Sequence, residues 1–448
     1  MDTILSQLPE KLKSLFEKKS LLGWELGYVK DTEQMQRDIF VAVLAELDED
    51  YHRSLERQNT YYVKDRVQRT FETVFGTIMF KRYTYIHRVS GKPYKHIDAL
   101  LNMRPYQRVS DQVCASVIST IVDEKLSYEK ACRRFNLSKT FAYNRLKALH
   151  PEQVRLSLAE PIHCENLHVM ADEDHVAVQD KSNPRKRDQR NSHHLRQITL
   201  YTGITQVSKH RNQLQNRAVF AQQQEESIVD FCQRVQNFIY ENYQISGDTF
   251  VYGDGANWIK TLANELDTPF ILDKFHVSQA LTRLCGGKRT DTWHQLMEHL
   301  VKDEKKLFKQ AVNGLYPEGL SNYKQQAFDY LLNNWRFYQH NHKLPGAAIC
   351  CAEGINSHYF AARLSSRPMG FSIKNIHTLG SLLALQASQV EMTGFLSQHI
   401  SDLLQPSEEP KKAVPSTNHR QARLNILGSK NVGTRQSIKN LISVKTRL

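Results

Sequence analysis

The chain opens with apolar positions spaced three to four residues apart. Between residues 35 and 55, Phe40, Val43, Leu44 and Leu47 fall on one side of a helix. The first 19 residues, MDTILSQLPEKLKSLFEKK, read as a short amphipathic helix without a signal peptide's apolar core. Over residues 70–88, TFETVFGTIMFKRYTYIHR, the period changes: β-branched and aromatic residues crowd around Gly76, which predicts a hairpin. A loop-rich connection with Pro93 and Pro105 leads into a second helical stretch over 110–149, ending near His150 and Pro151.

An apolar strand is predicted over 166–179, a polar basic loop over 180–197, and a second strand in ITLYTGITQV. A helix over 222–243 precedes the strand TFVYGD, which stops at Gly253-Asp254-Gly255. A helix, ANWIKTLANEL, follows; PFILDKFHV then gives a short strand ending at Asp273 and running into a helix near His276. Residues 291–342 are strongly helical, with Trp293, Leu296, Leu300, Leu331 and Trp335 on apolar stripes. After Pro406 the periodicity ends in a polar, basic tail expected to order only on a partner.

At 448 residues the chain is too long for one ordinary domain. The expected layout is an α/β multidomain protein. It has an N-terminal helical region with a hairpin (1–108), a helical pair (109–150), an α/β domain with an all-helical insertion at about 285–345 (151–405), and a flexible tail (406–448). Hydrophobic residues at 40% and charged residues at 24% are those of a globular protein. No apolar run approaches the roughly 20 residues that span a bilayer, so a cytoplasmic chain with no membrane partner is expected. Seven scattered cysteines with no CxxC pair exclude a disulfide framework and a cysteine zinc finger.

The formal net charge of +13 favours a polyanionic partner, nucleic acid first. It is concentrated: residues 125–150 carry +6, residues 181–196 carry +5 and residues 411–448 carry +9, leaving the remainder mildly acidic. The first cluster has a motif. In KLSYEKACRRFNLSKTFAYNRLKAL, Ser127 can cap one helix and Ser138 another, with Asn136 in the tight turn between them. The exposed face of the second helix offers Lys139, Thr140, Tyr143, Asn144, Arg145 and Lys147. This is the layout of a helix-turn-helix, in which Lys and Arg neutralise phosphates and Asn and Arg read base edges. An ordinary helical hairpin with a solvated basic face is the plain alternative.

Three acidic positions attract attention. In ADEDHVAVQ, strand alternation puts Asp172 and Asp174 on one face, where a carboxylate among apolar residues is costly unless it binds something. Asp254 ends a strand just before a helix, the edge at which open α/β sheets hold ligands. Glu353 lies on an apolar-flanked helix, followed by Asn356, His358, Arg363 and Arg367. Singly, each has a bland reading; Asp254 in Gly-Asp-Gly is an ordinary turn former. Asp273 and His276 form a DxxH pair at a strand-to-helix junction, equally readable as a helix cap and a packed histidine. Hard oxygen ligands of this kind suit Mg²⁺ or Mn²⁺. No HExxH, phosphate-binding loop or Rossmann glycine pattern occurs.

Six segments in this order resemble a known family: FGTIMFKRYTY, SYEKACRRFNLS, ADEDHVAVQ, VYGDGANWIK, LDKFHVSQAL and AEGINSHYFAARLSSRPMGFS. The chain resembles bacterial insertion-sequence transposases of the DDE type, most closely the ISLre-two family, and is similar in layout to Mutator-like transposases. The resemblance covers most of the chain. It implies an RNase H-like catalytic fold with a helical insertion before the last acid. It also implies catalytic and metal-binding roles for Asp172, Asp254 and Glu353, which would hold two Mg²⁺ or Mn²⁺ ions for phosphodiester cleavage and strand transfer. It favours Asp172 over Asp174 as the first acid. Asp174, His175, Asp273, His276 and His358 are secondary candidates, and Arg363 and Arg367 are expected on DNA phosphate. The implied partners are double-stranded DNA (terminal inverted repeats and target) and further copies of the chain, as a homodimer or larger assembly. An inactive, DNA-binding repressor descended from such an enzyme and a nuclease of the same fold are the competing expectations.

Overall fold

A computed structural model describes residues 21–404 apart from 154, 155, 157, 159, 180–191, 210, 349 and 368, with only the backbone of 21–28 and 211. The amphipathic segment expected over 1–19, most of the basic loop and the basic tail lie outside the described residues. The chain is a mixture of helices and strands. Its contacts divide it into two units: one runs to Arg145 and takes back Thr393–Asp402, and the other holds Leu146–Met392. The stretches expected as 1–108 and 109–150 therefore share one unit almost entirely.

In the first unit a long helix α1 (Leu21–Arg53) is followed by strands β1 (Tyr61–Thr73) and β2 (Gly76–His87). The strands pair antiparallel from Tyr61↔His87 to Thr73↔Gly76, leaving a two-residue turn. Leu44, Phe71, Ile78, Phe80 and Ile97 form the core beneath the hairpin. Helices α2 (Asp111–Asp123) and α3 (Tyr128–Arg133) begin at serine caps: Ser110 Oγ accepts from the Val113 N–H at 3.2 Å, and Ser127 Oγ from the Lys130 N–H at 3.3 Å. Asn136, at φ +50°, ends this pair's first helix, and the Leu137 N–H bonds back to the Cys132 carbonyl at 3.1 Å. Helix α4 (Lys139–Ala148) follows.

The second unit is built on a five-stranded sheet. Its strands are β3 (Leu167–Ala177), β4 (Ser192–Tyr201), β5 (Ala218–Ala221), β6 (Thr249–Gly253) and β7 (Phe270–Leu272). They lie in the order β7-β6-β3-β4-β5. The first three in the chain form an antiparallel meander; β6 and β7 then add parallel to β3 on its other side. The parallel additions need crossovers, supplied by α5 (Ile228–Asn242) and α6 (Asn257–Glu265). Leu167, Val169, Ile198, Val251 and Leu272 of the sheet join Phe231, Val235, Ile259 and Leu262 of these helices in one buried core.

After α7 (Lys274–Leu284) come four helices: α8 (Asp291–Val301), α9 (Lys305–Leu315), α10 (Asn322–Asn333) and α11 (Trp335–Lys343). They close on Trp293, Leu296, Phe308, Leu331 and Trp335, continuous with the core of the sheet. The chain returns through α12 (Ala352–Ile355), a π-helical turn (Asn356–Ala361) and α13 (Ile373–Ala387).

The structure corrects the expected extent of the basic loop. Residues 192–197 are part of β4, paired with β3 from Ser192↔Ala177 to Gln197↔Asp172. His193 lies with its Nε2 2.9 Å from Nε2 of His377, whose Nδ1 donates to the Gln222 carbonyl at 2.7 Å. Leu195 is fully buried. The charge of this stretch masked its alternation of inward and outward side chains.

Candidate active site

The parallel half of the sheet sets up the site. Met170 of β3 pairs with Tyr252 of β6, and Gly253 of β6 with Leu272 of β7. Asp254 and Asp273 thus follow the carboxyl ends of β6 and β7, and Asp172, within the longer β3, stands level with them. This edge is where open α/β sheets hold catalytic groups, because the strands stop there and helices begin. Gly253 is required at the approach: a Cβ there would lie 2.6 Å from Ile259 Cδ1 and 2.9 Å from the Ala171 carbonyl oxygen. Gly255, at φ +94°, adopts a backbone that side-chain-bearing residues avoid, and it lets the chain turn into α6. Asp254 Oδ1 accepts from the Ala256 N–H at 2.9 Å, and its carbonyl accepts from the Tyr330 hydroxyl of α10 at 2.6 Å.

Asp172 is held by two hydrogen bonds. Its Oδ1 accepts from the Glu173 N–H at 2.8 Å and its Oδ2 from Asn356 Nδ2 at 3.2 Å. Burial pushes its carboxyl up to about 7, and the negative charges of Glu353 and Asp254 push in the same direction. The same two charges raise Asp273, after burial as the main cause. Glu353, in the first turn of α12, is thereby brought into the field of acids 80 to 180 residues away in sequence. Among the described residues no lysine or arginine is ion-paired with Asp172, Asp254 or Glu353. Converging carboxylates, one with its pKa raised by burial and by its neighbours' charges and none ion-paired to a lysine or arginine among the described residues, fit a divalent cation that prefers oxygen.

Asp174 follows a different path. It is 5% exposed, and its Oδ1 accepts from the Ser365 hydroxyl at 2.7 Å. Neither Glu353 nor Asp254 appears among the causes that raise its pKa, which burial dominates. Of the two candidates for the first acid, Asp172 is the one that meets the others. Asp273 does cap a helix, its Oδ1 accepting from the Phe275 N–H of α7 at 3.0 Å, with His276 Nε2 3.8 Å from its other oxygen. His175 and His358 are exposed, and His175 faces away from the acids, beside Glu173.

Two expectations for basic residues change. Arg363 is 1% exposed, its guanidinium 5.1 Å from the centre of the Phe371 ring, so it braces the return of the chain instead of presenting charge to a backbone phosphate. Arg367 is exposed. On α4, Lys139, Thr140, Asn144 and Lys147 are exposed, but Tyr143 and Arg145 are half-buried, Arg145 lying 5.4 Å over the Phe141 ring.

The sequence reading missed a groove. A cavity of about 430 Å³ lies against Asp254, His276, Arg283 and Tyr330. It adjoins one of about 700 Å³ lined by Phe275, Arg289 and Lys324, and the two share Gln279, Arg283 and Tyr323. Phe275 and Tyr323 are exposed, at 46% and 61%. The groove runs between α7 and α10, helices separated by almost forty residues; their facing side chains carry no shared motif, so nothing in the sequence paired them.

The fold and site together define a mixed α/β protein with a carboxylate cluster at the edge of a parallel-stranded sheet half. The chain belongs to the uncharacterised protein family UPF0236, whose model matches residues 19–394. Relatives in Caldanaerobacter subterraneus subsp. tengcongensis include UPF0236 protein TTE2489, 27% identical over 365 residues, which are 78% of this chain and 75% of that protein. UPF0236 protein TTE0402 of the same organism is also 27% identical, over 78% of this chain and 70% of its own length. A third relative there, 28% identical over 78% of this chain and 74% of its own length, bears a name that joins eleven TTE designations, beginning with TTE0033. Among the described residues no helix is long and apolar enough to cross a membrane.

Proposed function

We propose that this protein is a DNA transposase of the DDE type, with an RNase H-like catalytic domain, a helical insertion and a helix-turn-helix. The observation that carries the reading is the convergence of Asp172, Asp254 and Glu353 at one sheet edge. The sheet order supports it: an antiparallel three-stranded meander with two parallel strands added beside the first is the order of an RNase H-like sheet. The helix α3, capped by Ser127, and α4 after it, with Asn136 in the turn between them, support a helix-turn-helix that reads the element's terminal inverted repeats. The eleven joined designations of one relative, read as copies in one genome, suit an element that moves itself.

In this reading Asp172, Asp254 and Glu353 would hold Mg²⁺ or Mn²⁺. The bound ions would supply Lewis acidity to the scissile phosphate and a nucleophilic oxygen at neutral pH. Asn356 orients Asp172 through its amide, and Tyr330 anchors the backbone of Asp254. Arg283, Arg289 and Lys324 neutralise phosphates along the groove, while Phe275 and Tyr323 offer ring faces to unstacked bases. Water or a 3′-hydroxyl would attack the phosphorus in line as the opposite P–O3′ bond breaks, the nucleophile losing a proton and the departing 3′-oxygen gaining one, and no covalent enzyme intermediate is required. The joining of two ends calls for a homodimer or larger assembly.

The deciding experiment is strand transfer in Mg²⁺ with Asp254→Asn or Glu353→Gln; full activity in either variant removes the assignment. Binding of end DNA without cleavage in Mg²⁺ or Mn²⁺ favours a repressor. Cleavage without joined product on a supplied target duplex favours a nuclease.

A further inference from the structure

The paired strands β3 and β4 carry a second ligand-bearing cluster on the face opposite the acids. Strand alternation turns Glu173 and His175 away from Asp172 and Asp174. On the neighbouring strand, His194 stands directly across from His175. Glu173 Oε1 lies 3.1 Å from His194 Nδ1 and 3.8 Å from His175 Nε2, and the two imidazole centres are 4.1 Å apart. One ligand atom from each of the three falls within 4.8 Å of the others.

The cluster is organised further than a chance surface pairing. β3 and β4 are paired at ten consecutive positions, and the cluster lies where this pair runs on past β5 and β6, with ladder bonds on both sides of it holding the two strands in register. Across from Glu173 stands Arg196, whose Nε is 3.6 Å from the second carboxylate oxygen, Oε2. Arg196 is itself held by Gln222 Oε1 at 3.0 Å. The carboxylate is thus fixed from behind, with Oε1 left facing the two imidazoles. Second-sphere restraint of this kind orients a ligand before the ion arrives. His175 and His194 side chains are 60% and 42% exposed, giving an ion access from solvent, while Glu173 at 18% is the rooted member.

We propose that Glu173, His175 and His194 form a binding site for a zinc-class transition-metal ion, separate from the acidic cluster. Two imidazoles and one carboxylate are a borderline donor set that prefers Zn²⁺, Co²⁺ or Ni²⁺ to Mg²⁺. Three protein ligands leave a fourth position to water. Because the ligands come from two adjacent strands, the ion acts as a clasp between β3 and β4, beneath which Asp172 is seated. Arg196 sets a limit: its charge opposes a second positive charge nearby, so the site is expected to bind in the micromolar range and not as tightly as a thiolate centre.

The test uses the full chain carrying Asp254→Asn and Glu353→Gln, in excess Mg²⁺, so that the acidic cluster does not compete. Co²⁺ alone is titrated and followed by its visible d–d absorption, then displaced with Zn²⁺. One equivalent of Co²⁺, bleached by Zn²⁺ and weakened roughly tenfold or more by His194→Ala and by His175→Gln, is the expected result. Both histidines are solvent-facing, so either substitution leaves the core intact, and circular dichroism checks that it does. The absence of a Co²⁺ spectrum in the parent, or a spectrum unchanged in both variants, overturns the site.

Discussion

Asp172 and Asp254 stand level on neighbouring parallel strands: Met170 pairs with Tyr252, and each acid lies two residues further on. Two carboxylates so placed repel each other and resist burial together. Asp172 takes the cost: burial first, then the charges of Glu353 and Asp254, push its carboxyl up to about 7. A raised carboxyl pKa penalises the folded state as pH rises from about 4 to 7, and the penalty is full above that. Asp172→Asn should therefore stabilise the metal-free protein at pH 8, on the order of 1–2 kcal/mol, while abolishing strand transfer. Thermal unfolding in EDTA beside an activity assay checks both; a destabilised variant would contradict the electrostatic picture.

Asn356 holds Asp172 without being a candidate ligand itself. Asn356→Ala should lower the rate of cleavage about 10- to 100-fold, as loss of a second-sphere partner does, with end-DNA affinity unchanged. A fall in DNA affinity instead would mean that Asn356 acts on the nucleic acid.

Gly253 admits no side chain, with Ile259 and the Ala171 carbonyl in the way. Gly253→Ala should cost about 1–3 kcal/mol through overpacking and displace Asp254. A chemical denaturation series measures the first effect and Mn²⁺ affinity the second.

His168 gives the clearest pH signature. It is 5% exposed on β3, its Nδ1 3.0 Å from the Tyr252 hydroxyl, and burial lowers its pKa to about 4. The unfolded chain takes up this proton below its ordinary pKa of about 6.5, whereas the folded chain does not. Stability should therefore fall as pH drops from 6.5 towards 4, by at most roughly 3 kcal/mol from this group. His168→Gln, measured across the same window, should show a shallower slope; an equal slope would assign the acid sensitivity elsewhere.

The groove predicts a division of labour. Arg283→Ala should weaken DNA binding and reduce the salt dependence by about one counterion's worth of slope. Tyr323→Ala should leave that slope unchanged while weakening binding to DNA with an unpaired end. Binding measured from low to moderate salt on blunt and frayed duplexes separates the two effects.

Much of the chain was readable from local pattern, and the reason is periodicity. The alternation in LHVMADEDHVA and the short apolar run TFVYG are strands because their apolar spacing suits burial in a sheet, and Gly253-Asp254-Gly255 marks where one ends. Ser127 announces a helix because its hydroxyl accepts an orphan N–H group. Chemistry was legible as residue type: acids in apolar strands demand a partner. What the local pattern left open was decided by long-range register. The choice of Asp172 over Asp174, on the same strand face, follows from which stretch of the returning chain meets each: Asn356 and the nearby charge of Glu353 at the first, Ser365 at the second. The burial of Arg363, the pairing of α7 with α10 into a groove, and the meeting of Glu173 with His194 are likewise tertiary. Sequence spacing fixes which way a side chain points along its own element. Only the packing of elements decides what it points at.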